Sequence, residues 1–218
     1  DEGEVLARFP QAQRVLPPVR IAPAPRPSPP HPPVVVGMGP AGLFAAWALA
    51  RAGWAPLIIE RGRDVDRRRS DVAAFQAGGG LDPESNIQFG EGGAGTFSDG
   101  KLTTGIKDPR CAEVLAVLAE CGAPEEILYL AKPHIGTDRL GQVVKALRGR
   151  LIALGATVRF ETRLTGLILE QGRVAGIRLA DASGTREMET GHVVLATGHS
   201  SRDTYALLDE AGVPLQAK

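Results

Sequence analysis

Two short hydrophobic runs frame the N-terminal part of the chain. Val34–Val36 and Pro56–Glu60 are apolar stretches bounded by glycine or proline, and each predicts a buried strand. Between them, Ala41–Ala52 is built from good helix formers and closes at Gly53, which suits the turn that follows a helix. Strand, helix and strand in this order predict a βαβ unit, and so a parallel sheet covered by helices. Asp108–Cys121 and Leu140–Leu154 predict amphipathic helices. In the second, Leu140, Val143, Val144, Leu147 and Leu151 recur at helical spacing and share one face. Short strands are expected at Thr157–Phe160, Leu164–Glu170, Ala175–Ala180 and Arg186–Glu189, with turns at Glu170–Arg173 and Asp181–Thr185. His192–Ala196 predicts a further buried strand. The expected fold class is α/β: a Rossmann-like, dinucleotide-binding domain whose parallel sheet is joined to an antiparallel β-meander.

The flanks divide the chain. Residues 1–16 read as the end of an earlier element, the remnant of an N-terminal domain. Residues 17–33 are proline-rich, which removes backbone donors and predicts an extended, semi-rigid linker. Residues 34–218 read as one binding domain, with a helical and glycine-loop insertion over about 64–155. The chain opens on Asp1 and closes at Lys218 just after a helix-like segment, so a truncated domain is expected.

Composition narrows the function classes. Twenty-five basic and 25 acidic side chains give zero formal net charge, which argues against nucleic acid as a partner. No apolar run has the length of a membrane span, and no signal-peptide pattern is present. Cys111 and Cys121 are too few for a disulfide framework and lack redox-pair spacing; two buried thiols in a cytoplasmic protein are expected. No clustering of histidines or cysteines predicts a metal site.

The chemistry concentrates in glycines. Gly37, Gly39 and Gly42 match G-x-G-x-x-G, here as Gly37-Met38-Gly39-Pro40-Ala41-Gly42 between a strand and a helix. In that context the first glycine permits a tight turn, the second lets a pyrophosphate approach the backbone, and the third lets helix and strand pack closely. The helix N-terminus then attracts the phosphates. Glu60 ends the next strand, placed to accept from ribose hydroxyls and to repel a 2′-phosphate. The ligand expected is FAD or NAD rather than NADP, and Arg61 is a candidate contact to its adenosine half.

Later segments decide between the two. The order of strands, meander and "ATG" (Ala196-Thr197-Gly198) resembles the FAD domain of glutathione-reductase-like flavoproteins. The resemblance implies that the Thr197–Gly198 turn lies beside the cofactor and that the backbone of Leu164 contacts its adenine. More narrowly, Leu81–Asp108, Lys132–Leu140 and Ala196–Leu208 resemble the bacterial FAD-dependent dehydrogenases, or NAD(P)/FAD-dependent oxidoreductases. That family implies hydride transfer to or from flavin N5, with an unassigned substrate or electron acceptor and with NAD(P)H as a transient donor.

A second glycine loop, Gly90–Lys101, is expected to line the pyrophosphate and the flavin ring. Gly93, Ala94 and Gly95 would bring backbone close, Thr96 and Ser98 would offer hydroxyls, and Lys101 a positive charge. His134 and His199 are weak candidates for proton transfer. Asp64–Asp71 interleaves acids with arginines and predicts a solvated helix face. A flavin-binding redox sensor or interaction module without turnover is the rival reading.

Overall fold

The computed structural model describes residues 2–9, 11 and 27–216. Most of the linker therefore lies outside the described residues. A short helix α1 spans Glu2–Arg8. The expected βαβ unit is present as β1 (Val34–Val36), α2 (Pro40–Arg51) and β2 (Leu57–Ile59), with Gly53 at a positive φ of 83° just past the helix. Helices α3 (Val65–Gln76), α4 (Arg110–Glu120) and α5 (Thr137–Ala153) follow. Then come β3 (Thr157–Arg159), the strands β4 (Arg163–Glu170), β5 (Arg173–Asp181) and β6 (Gly184–Glu189), β7 (Val193–Leu195) and α6 (Arg202–Glu210).

Two sheets result. The parallel sheet has the order β3-β2-β1-β7, with Val35 opposite both Ile58 and Val194 and Ile58 opposite Val158. The meander β4-β5-β6 is antiparallel throughout. The two-residue period of a strand divides the core into two layers. Val35 and Ile58 pack on one face with Leu43, Trp47, Val117, Val143 and Leu147 of the helices. Val34, Val36, Leu57 and Ile59 pack on the other with Leu164, Ile177 and Leu179 of the meander. The parallel sheet is thus sandwiched between helices and meander, the arrangement that lets apolar side chains on both faces leave water.

The structure corrects three expectations. β7 is an edge strand with Val193 and Val194 half-buried and Leu195 exposed, because among the described strands it pairs only with β1. Cys111 is partly exposed; only Cys121 is buried. The face of α3 is not uniformly solvated, since Arg68 on it is fully buried. At the end of the proline-rich segment Pro33 is buried, and its carbonyl accepts from Leu57 N at 2.9 Å. None of the helices described is long and apolar enough to cross a membrane.

Candidate functional site

Where the C-terminal ends of β1, β2 and β7 meet, the chain leaves a cleft of about 660 Å³. This is where open parallel sheets place ligands. One wall is the first glycine loop from Gly37 to Ala41. Glu60, Arg61, Thr162, Arg163 and Leu164 line one end, and Ala196 to Ser201 with Thr204, Tyr205 and Leu208 line the opposite wall. Gln88, Phe89, Gly90, Gly93 and Ala94 of the second glycine loop complete it.

The three glycines of the first loop differ in what demands them. A Cβ on Gly37 would stand 2.5 Å from the Ala196 carbonyl oxygen, and the residue has a φ of 98°. A Cβ on Gly42 would stand 1.8 Å from the Gly37 oxygen. Both are imposed by packing of the loop, the helix and β7. A Cβ on Gly39 would meet nothing within 4 Å, and its backbone is extended, at φ −67° and ψ −178°. Among the described residues no protein atom requires glycine at that position. No side chain caps α2, and no acid lies in its first turn.

Glu60 is buried, and each of its carboxylate oxygens accepts a backbone N–H: Oε2 from Met38 at 2.8 Å and Oε1 from Gly62 at 2.9 Å. It therefore fastens the glycine loop to the end of β2 while lining the cleft. A carboxylate has about four acceptor positions, so two remain for hydroxyl donors. Arg61 is held by two acids. Its Nε and NH2 donate to Glu84, the second at 2.9 Å, and its NH1 donates to both oxygens of Asp203 at 3.0 and 3.2 Å. The hydrogen bonds to Glu84, ahead of those to Asp203, strengthen its hold on its proton.

The second glycine loop is organised by a residue that the sequence reading placed in solvent. Arg68 donates to the carbonyls of Asn86, Ile87, Glu91 and Gly93 and to the Thr96 hydroxyl, over 2.7–3.1 Å. Its guanidinium lies 4.7 Å from the centroid of the Phe97 ring. Burial brings its pKa down to about 10, with Glu60 and Glu91 opposing that fall. Glu91 is itself buried: Oε2 accepts from Val65 N at 2.6 Å, and Oε1 lies 3.3 Å from Arg148 Nε without hydrogen-bond geometry. Burial raises its pKa. Gly92 N donates to Met38 O at 2.9 Å and ties the two glycine loops together. The available signal for Arg68 was the glycine-rich loop itself, whose many turning carbonyls need a donor.

Of the other residues singled out by sequence, Pro40, Ala41, Gly93, Ala94, Leu164, Thr197, Gly198 and His199 line the cleft. Gly95, Thr96, Ser98 and Lys101 do not. Thr96 is turned to Arg68, Gly95 packs on Leu140, and the Ser98 hydroxyl bonds back to Gly95 O. Lys101 points to Asp99 at 3.7 Å, in solvent. His134 is bridged to Lys101 outside the cleft. Among the described residues no group of three or more metal-ligating side chains comes together.

No family model matches the chain. It is 51% identical over 186 residues to an uncharacterized protein of Clostridium beijerinckii, covering 85% of this chain and 34% of that one. Digeranylgeranylglycerophospholipid reductase 2 of Methanopyrus kandleri is 27% identical over 173 residues, 78% of this chain and 38% of the reductase. The solved structure of THI4 from Thermovibrio ammonificans superimposes with a TM-score of 0.56 at 19% identity, over 85% of this chain and 64% of that one. The domain is a Rossmann-type α/β fold. The chain spans little more than a third of the length of the two curated relatives.

Proposed function

We propose that the cleft binds FAD and that the protein is an FAD-dependent oxidoreductase. The observation that carries this reading is Gly39: a glycine that no described contact within the protein requires, at a helix N-terminus without a side-chain cap, in a cleft lined by the buried acid Glu60. The backbone of Gly39 and Ala41 would hold the diphosphate. Glu60 would accept from the adenosine ribose, and the Leu164 backbone would face the adenine. Gly93, Ala94, Thr197 and Gly198 would flank the remainder. When bound, FAD supplies a two-electron centre that exchanges hydride at N5 with a substrate or with NAD(P)H.

The chain's own part is to bind, orient and exclude water. Of the four histidines His199 alone lines the cleft, and a proton-transfer role there would fall to it. The matched relative named as a phospholipid reductase supports redox chemistry in general. The test is an absorption spectrum of the intact protein, followed by anaerobic mixing with NADH or NADPH. Flavin bands that bleach on mixing are expected. Bound flavin that neither donor nor any candidate substrate reduces would favour a redox sensor. A colourless protein that takes up no added FAD would overturn the cofactor assignment.

A further inference from the structure

In this fold an acid at the end of the second strand takes ribose hydroxyls, and an arginine nearby is what accommodates a 2′-phosphate. Here the two stand side by side as Glu60 and Arg61, both on the cleft. Most donors of the arginine are already engaged. Three of its nitrogens donate to Glu84 and Asp203, acids 23 and 142 residues away in sequence and outside the lining of the cleft. Arg163, the other guanidinium at this end, lies 3.8 Å from the same Glu84.

We propose that Glu84 and Asp203 sequester Arg61, and thereby make the adenosine end of the cleft selective for an unphosphorylated ribose. This rests on the reading that the cleft takes an adenosine diphosphate moiety. Two carboxylates, Glu84 and Asp203, meet the single charge of Arg61, so a 2′-phosphate gains little attraction from it. To win Arg61 it must compete with Glu84, which takes Nε and Nη2 in the two-pronged geometry that suits guanidinium best, and with Asp203 on Nη1. Glu84 and Asp203 are 39% and 46% exposed, so added salt weakens their hold and the selectivity with it.

The test titrates ADP and 2′,5′-ADP calorimetrically into the intact protein, stripped of bound nucleotide. The wild type is expected to bind ADP about tenfold or more tightly than 2′,5′-ADP. In Glu84→Gln/Asp203→Asn the ratio is expected to fall to about threefold or less through a gain for 2′,5′-ADP. Adding Arg61→Met should abolish that gain, which shows that it runs through the freed guanidinium. If the double variant fails to fold, Asp203→Asn alone frees NH1 at an exposed position and should move the ratio in the same direction. An unchanged ratio with ADP still bound overturns this inference alone, as does a gain that survives removal of Arg61. A wild type that binds no ADP overturns the proposed function and this inference with it.

Discussion

A glycine can serve the protein or its ligand, and single substitutions at Gly37 and Gly39 separate the two. Gly37→Ala places a methyl 2.5 Å from the Ala196 carbonyl at a positive φ. It is expected to lower stability by about 2 kcal/mol or more in a denaturant titration. Gly39→Ala meets no protein atom and should leave stability within about 0.5 kcal/mol. It should nevertheless weaken FAD by about tenfold or more, read by flavin fluorescence. Equal effects on stability at the two positions would undo the distinction. Arg68 makes a complementary case. Arg68→Met removes a fully buried donor to four carbonyls, and a loss of about 2–4 kcal/mol is expected. Arg68→Lys keeps the charge without the planar fork and should recover only part of it.

Among the elements, α3 shows how local and long-range charge divide the work. Asp64 caps it by accepting from Asp66 N at 3.0 Å and Arg67 N at 3.2 Å. Asp64→Ala should cost about 1 kcal/mol. At the start of α4, Asp108 accepts from the Arg110 guanidinium and backbone N, and its pKa falls to about 2. A depressed acid stabilises the fold above its ordinary pKa and loses that contribution as pH falls toward 2. The melting-temperature difference between wild type and Asp108→Asn should therefore shrink between about pH 4 and pH 2. Glu91 runs the other way. Burial raises its pKa, so its protonated form favours the fold, and stability drops as pH rises through that raised value. Glu91→Gln should flatten this part of the profile.

At the scale of the whole molecule, the contact between two sheets shapes the end of the cleft beside Glu60. Leu164, Ile177 and Leu179 of the meander pack on Val34, Val36, Leu57 and Ile59. The start of β4 then delivers Arg163 and Leu164 beside Glu60. Ile177→Ala empties a fully buried site in this layer and should cost about 2–5 kcal/mol. Because it loosens the meander that carries Arg163 and Leu164 to the cleft, ADP affinity of the folded fraction should fall as well, read by calorimetry well below the melting temperature.

The sequence alone determined the βαβ unit, the amphipathic helices, the meander and the first glycine loop. Each is encoded by neighbours in the chain: apolar period, helix propensity, and glycines between a strand and a helix. Tertiary structure decided the rest. A run of alternating charges looks the same whether or not one arginine turns inward, and only the folded loop shows the four carbonyls that draw Arg68 in. The residues of the second loop could not be sorted by composition either. Gly93 and Ala94 reach the cleft while Thr96 and Lys101 turn from it, because the tie from Gly92 to Met38 and the Arg68 guanidinium fix the loop's path. Arg61 beside Glu60 was legible as a pair, but its partner Asp203 lies 142 residues on. A charge that distant acts on Arg61 only once β7 and α6 have been folded back over the sheet, since Coulomb attraction depends on separation in space and not along the chain.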